Sequence, residues 1–151
     1  MAITSTISTV ADSISNLSVS GVTIKDIDQI PESAAMLCPL LIPQPDNFVT
    51  DLSVSFETFG SNGVAKINTN YTLNYVFLFC EVGGGLGAFA AFSGLVAKLS
   101  AILVAINSND AITGAVDVKI NSIGNIGVIT DPAGNEFWGL MFSLRVLEYS
   151  Q

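Results

Sequence analysis

The sequence predicts an α+β domain, an antiparallel sheet with one long helix packed across it and an amphipathic helix at the N-terminal end. Three observations carry this expectation. Apolar residues recur at helical spacing over residues 3–17 and again over 86–107. Over 50–82 and 116–149 they alternate with polar residues or form short apolar runs, the signature of strands. Clusters of Gly, Asn and Pro separate these segments, and there is no internal repeat. At 151 residues the chain fits a single domain spanning 1–151.

Taken in order, Ile3, Ile7, Val10, Ile14 and Leu17 form one apolar stripe on a first helix. Its other face is Ser, Thr, Asp12 and Asn16, which are mediocre helix formers, so the helix depends on docking its stripe. Val22–Ile27 reads as a short strand. Residues 31–47 hold four of the five prolines and read as irregular chain with a brief extended piece at Leu40–Ile42. Leu52, Val54 and Phe56 alternate with polar residues in a half-buried strand, and Phe59–Gly63 reads as a turn.

The next strand is long, from Val64 to about Val82. Its first part is polar on one face at Lys66, Asn68, Asn70, Thr72 and Asn74, whereas Tyr75–Cys80 is apolar on both. The expectation is a solvated hairpin arm that projects from the domain and ends in the middle of a covered sheet. After Gly83–Gly85 a helix runs from about Leu86 to Asn107. Phe89, Phe92, Val96, Leu99, Leu103 and Ile106 form a large stripe expected on the sheet. Gly87, Ala91, Gly94, Ala97, Ala101 and Ala105 form a small face, with Lys98 beside it, that admits another backbone. Strands follow at Val116–Asn121, Ile126–Ile129 and Glu136–Tyr149, the last with Trp138, Leu140, Phe142, Leu144 and Val146 on one face.

Charge is scarce. Charged residues make up 12% of the chain, about half the share usual in soluble domains, while 50% of residues are apolar. A surface this poor in charge is covered by Ser, Thr and Asn or by neighbouring protein, and large interfaces are depleted in charge at their centres. The net charge of −8 repels nucleic acid and anionic lipid, and Lys25, Lys66, Lys98, Lys119 and Arg145 read as scattered along the chain. Tight DNA binding is excluded; an acidic wall past which DNA slides is compatible.

Val82–Ile106 is apolar and long enough to cross a bilayer, but Lys98 lies within it. No basic cluster or aromatic belt flanks it, so it reads as a domain helix. Met1 is followed by no positive start and no cleavage site, so no secretory signal is expected. Cys38 and Cys80 read as two buried thiols in a reducing cytoplasm.

Candidate chemistry is thin. Gly85-x-Gly87-x-x-Ala90 matches a dinucleotide fingerprint in outline, but the strands after it read as antiparallel hairpins rather than a parallel βαβ unit. Asp110 stands about five residues too far along to bind a ribose. The absence of histidine excludes Ser–His and Cys–His catalysis. Glu57, Glu81, Asp117 and Glu148 each sit among polar neighbours on strands, and Asp26, Asp28 and Glu32 lack the spacing of a calcium loop. No catalytic residue, metal ligand or cofactor site is expected.

The run Asn70–Tyr75, the glycine elbow and its helix, Gly114–Val118, Gly124–Gly139 and the closing strand together resemble tail terminator proteins of long-tailed bacteriophages (the minor tail protein U-like group). The resemblance covers about the last 80 residues well and the first 70 in outline. It implies a structural virion protein: a homo-oligomeric ring, usually a hexamer, at the head-proximal end of the tail. Such a ring is assembled in the host cytoplasm, ends polymerisation of the tail tube protein and joins the tail to a head–tail connector protein. DNA passes through its lumen without specific binding. A tail tube or neck subunit is the alternative, and a small nucleotide-binding domain a more distant one. For the interface, the residues singled out are Phe59, Gly60, Asn62 and Lys66 on the arm, and Ala91, Gly94 and Lys98 on the small face of the long helix.

Overall fold

A computed structural model describes residues 3–17, 19–27, 39–44, 47–57, 66–82, 88–107, 116–130 and 133–150. The described chain is a mixed α/β fold of two helices and a seven-stranded, mostly antiparallel sheet. Its elements are α1 (Ile3–Ser15), β1 (Thr23–Ile24), β2 (Leu40–Pro43), β3 (Val49–Glu57), β4 (Lys66–Glu81), α2 (Ala88–Asn107), β5 (Val116–Ile123), β6 (Gly127–Thr130) and β7 (Glu136–Ser150).

The two longest strands, β4 and β7, pair antiparallel from Ile67↔Ser150 to Glu81↔Phe137 and form the spine of the sheet. Each has two shorter strands laid end to end along its free side. β3 pairs with β4 over residues 66–73, and β2 takes over at Tyr75 and runs to Leu78. β5 pairs with β7 over Phe142–Glu148 and β6 over Glu136–Gly139. Only β1, two residues long and paired with β2, adds a parallel contact among the described strands.

Asn74 bridges the junction of β2 and β3. Its backbone takes Gln44 N–H and donates to Phe48 O, while its side chain donates to Asn47 O (2.8 Å) and Thr50 Oγ1 (3.0 Å). Bulges adapt the ladder to its neighbours: one at Thr50/Ser53, where Asp51 adopts φ 53°, and one at Leu78/Cys80, where Phe79 is the extra residue. There Gly139 passes so close to Phe77 O that any side chain would strike backbone.

One face of the sheet carries the core. Tyr71, Leu73, Tyr75 and Phe77 of β4, Leu140, Phe142, Leu144 and Val146 of β7, and Val118 of β5 are buried with Val10, Ile14 and Leu17 from α1 and its C-terminal end, and with Leu95, Leu99, Ile102 and Ile106 of α2. Each such side chain contributes about 1.5–3 kcal/mol of burial energy. Tyr75 stacks on Phe142 at 5.9 Å and meets Phe48 edge-on at 5.5 Å. A second, smaller cluster lies on the other face at one end: Leu40, Ile42, Val76, Leu78 and Phe137.

Three expectations change. First, the polar start of β4 is no bare hairpin arm. β7 is long enough to flank it as far as Ile67↔Ser150, so the run is paired on both sides, and Asn70, Thr72 and Asn74 are polar because their face of the sheet lies opposite the helix-packed core. The expected arm tip, with Phe59, Gly60 and Asn62, lies outside the described residues. Second, α2 is turned from the expected orientation. Leu95, Leu99, Ile102 and Ile106 face the core, whereas Phe92 (54% exposed) and Val96 (39%) do not. At 100° per residue the centre of the buried face lies about 60° from that of the expected stripe, and Leu99 and Ile106 belong to both. A helix apolar nearly all round leaves its orientation to the sheet it meets. Third, the strands after α2 do not form a hairpin with β5 and β6 side by side, since each pairs with β7 instead. Strands β4 and β5 both pair antiparallel with β7, so they are set parallel to one another on either side of it, joined through α2 in a split βαβ arrangement. The glycine elbow of the dinucleotide fingerprint lies outside the described residues.

Among the described residues no helix is long and apolar enough to cross a membrane. Cys80 is a free, half-buried thiol rather than a buried one, and Cys38 lies outside the described residues.

Candidate functional site

Two surfaces stand out once the core is assigned. The first is the outer side of α2. Phe92, Val96 and Val104 are exposed, Val104 by 67%. Val96 and Val104 line a groove of about 460 Å³ between α2 and β5, together with Leu99, Ser100, Leu103, Asn107 and Ile120. The groove exists because α2 turns Leu95, Leu99, Ile102 and Ile106 to the core, with Leu103 packed at its margin, and leaves Phe92, Val96 and Val104 exposed.

The second is the sheet face opposite the helices. In antiparallel ladders directly paired residues share a face. Val118↔Val146 and Ile120↔Leu144 point to the core, so Lys119↔Arg145 between them points away from it. The same row continues to Thr72 and Thr50. Arg145 donates to Thr72 Oγ1 (3.2 Å) and to Asn70 Oδ1. Ser143 shares a 2.7 Å hydrogen bond with Ser122. The network fixes the guanidinium flat along the sheet with uncharged acceptors.

At the other end of the β4–β7 pair, Glu81, Val82, Gly134, Asn135 and Glu136 line an open groove of about 460 Å³ with two exposed carboxylates. Glu81 is opposite Phe137 and so shares the outer face with Arg145.

Of the residues expected at an interface, Phe59, Gly60 and Asn62 lie outside the described residues. Gly94 faces the ring of Phe79 on the chain's own β4, and Lys98 Nζ donates to Ser20 O at 2.8 Å, tying α2 to the segment after α1. Ala91 lies within α2 and Lys66 opens β4. Sequence reasoning missed Arg145, Lys119, Phe92 and Val104. The cations seemed scattered because they are distant along the chain, but register sets Lys119 and Arg145 opposite each other on one face. The signal was the polar phase of β7, where Ser143 and Arg145 alternate with Phe142, Leu144 and Val146.

Among the described residues no three His, Cys, Asp or Glu side chains gather as metal ligands. Burial pushes the Cys80 thiol above its ordinary value, the wrong direction for a nucleophile. Burial likewise raises the Tyr75 phenol, assisted by the Asp26 carboxylate and Tyr71, and keeps it protonated. No family profile matches the chain, and no curated protein matches it.

Proposed function

We propose that this chain is a structural virion protein that assembles with itself and with partner proteins and catalyses no reaction. Its finer role in this reading is a ring at the head-proximal end of a long phage tail, ending tube polymerisation and joining the tail to the head connector. The observation that carries the assembly reading is the outer side of α2. Phe92 and Val104 are 54% and 67% exposed, Val104 on the wall of an apolar groove, on a chain with only 12% charged residues. Exposed apolar surface of this kind marks contact sites more often than solvated ones. The resemblance of residues 70–149 to tail terminators supplies the finer part. The acidic balance suits a lumen that DNA crosses without adhering.

The test is electron microscopy and sedimentation of the purified protein, alone and with tail tube protein. Closed rings that cap tubes are expected. Long cylinders made by the chain alone would assign it to the tube instead. A strictly monomeric species at high concentration, with or without tube protein, would overturn the reading. Val104→Asp, at an exposed position, is expected to weaken assembly while leaving the melting temperature unchanged.

A further inference from the structure

Resting on the self-assembly reading above, we infer that the outer face of α2 docks on the same face of a second copy, the two helices running antiparallel about a two-fold axis at Ser100. Residues three and four apart share one side of a helix. On the exposed side of α2 that series is Ser93, Val96, Ser100, Val104 and Asn107. Val96 and Val104 stand four residues on either side of Ser100, and Ser93 and Asn107 stand seven. The face therefore reads alike in both directions: short polar, Val, Ser, Val, short polar. An antiparallel copy turned about Ser100 sets Val96 against Val104 of the second copy and Val104 against its Val96, so each contact is made twice. Ser100, with Ala97 and Ala101 exposed beside it, lets the two backbones approach to about 8 Å. Phe92, 54% exposed one turn before Val96, adds to the apolar area at the end of the stripe.

Charge selects a second copy as the occupant. Copies with a net charge of −8 repel one another, and the repulsion is least where they meet through an uncharged face. The exposed carboxylates Asp12, Asp51, Glu81 and Glu136 stand on α1, β3, β4 and β7, none of them on α2 or in its groove. Lys98, the one charged residue of α2, points to another side of the helix and bonds Ser20 O. A basic partner would be drawn to the acids and away from this helix. The sheet extends the face: Ile120 lines the groove, and Ile123, opposite the core residue Phe142, is 47% exposed beyond it. With 20 residues α2 is about 30 Å long. One helix and the strand beside it are about 17 Å wide. The product, roughly 500 Å² per copy and about 1,000 Å² in all, reaches the smallest area typical of a specific contact. The pairing is accordingly weak and concentration-dependent. A two-fold contact closes at two copies, so rings built from such pairs hold an even number of subunits.

Cross-linking at the axis tests this. In a Cys38→Ala/Cys80→Ala background, Ser100→Cys is expected to give a covalent dimer with a short bismaleimide at least about tenfold faster than Asp12→Cys, an exposed position on α1. In sedimentation velocity the wild type is expected to associate more tightly as salt rises, because salt screens the net charge and the contact holds no ion pair. Val96→Lys and Val104→Asp, both at exposed positions, are each expected to weaken association at least about tenfold. The double variant sets each new ammonium against the new carboxylate of the other copy, and association is expected to return. Wild-type oligomers with Ser100→Cys linking no faster than Asp12→Cys, or single variants whose combination does not recover, would overturn this inference and leave self-assembly standing. A face filled by another protein gives the first of these results. A wild type that never leaves the monomer would overturn both.

Discussion

Gly94 on α2 and Phe79 on β4 meet so closely that a Cβ on residue 94 would stand 2.7 Å from Phe79 Cζ. The contact joins two irregularities, the bulge that adds Phe79 to β4 and the missing side chain on α2. Alanine at 94 gains about 1 kcal/mol of helix propensity and must push aside the tip of a half-exposed ring. Gly94→Ala is therefore expected to stay within about 1 kcal/mol of wild type in urea denaturation. Gly94→Leu overfills the space and is expected to lose about 1–3 kcal/mol. Gly139→Ala meets the backbone carbonyl of Phe77, which cannot swing away, and is expected to be the most damaging of the three.

Lys98 closes the same side of the molecule. Its ammonium bonds Ser20 O at 2.8 Å, and Gly21 beside it holds φ 74°. Lys98→Met is expected to cost about 1 kcal/mol, since the bond is charge-assisted but exposed. Gly21→Ala is expected to cost about 1–2 kcal/mol, because a Cβ there is disfavoured at positive φ and would lie 2.6 Å from Lys98 Nζ. Thermal melts of the two variants and of their combination check both, and the pair should be non-additive.

Asn74 is expected to matter more than its half-buried position suggests. Its side chain caps backbone where β4 changes partner from β2 to β3. Asn74→Leu keeps the branched shape and removes the amide, leaving Asn47 O and Thr50 Oγ1 without that donor. The expected loss is about 1–3 kcal/mol, with amide exchange rising first over residues 44–50.

Tyr75 gives a pH-dependent prediction. Its hydroxyl is buried with no hydrogen-bond partner among the described residues, and its pKa is raised by burial first and by the Asp26 carboxylate second. The folded state holds the proton that the unfolded chain releases above about pH 10. This phenol therefore leaves stability unchanged below that pH and lowers it by up to about 1.4 kcal/mol per pH unit above it. Tyr75→Phe is expected to match or slightly exceed wild-type stability at pH 7 and to show a shallower alkaline loss. Denaturant midpoints between pH 8 and 11 decide this, and a steeper alkaline loss in the variant would contradict it.

Much of the fold was legible from residue spacing. Val10, Ile14 and Leu17 are buried as their stripe requires, and Leu140, Phe142, Leu144 and Val146 share the core face that their alternation predicts. Both signals work because one side of each element is polar and the other is not. α2 lacks that contrast: Phe92, Leu95, Val96, Leu99 and Leu103 surround much of the helix, so spacing alone offers several equivalent orientations. The polar phase of β4 was legible as polar but not as a sheet face, because nothing in residues 66–74 tells that β7, some 70 positions later, lies alongside. The pairing of Lys119 with Arg145 was hidden for the same reason: register between distant strands is set by the assembled sheet.

The end-to-end placement of β2 with β3 and of β5 with β6 has a mechanical result. Among the described residues each long strand of the spine is hemmed by two strands end to end rather than by one continuous border, β2 ending at Pro43 and β3 starting at Val49 on one flank, β5 ending at Ile123 and β6 starting at Gly127 on the other. An intruding strand would find no straight, uninterrupted row of backbone groups along these flanks on which to zip. Association of copies along these flanks through side chains rather than by strand pairing would keep crowding at high local concentration from turning into fibre growth.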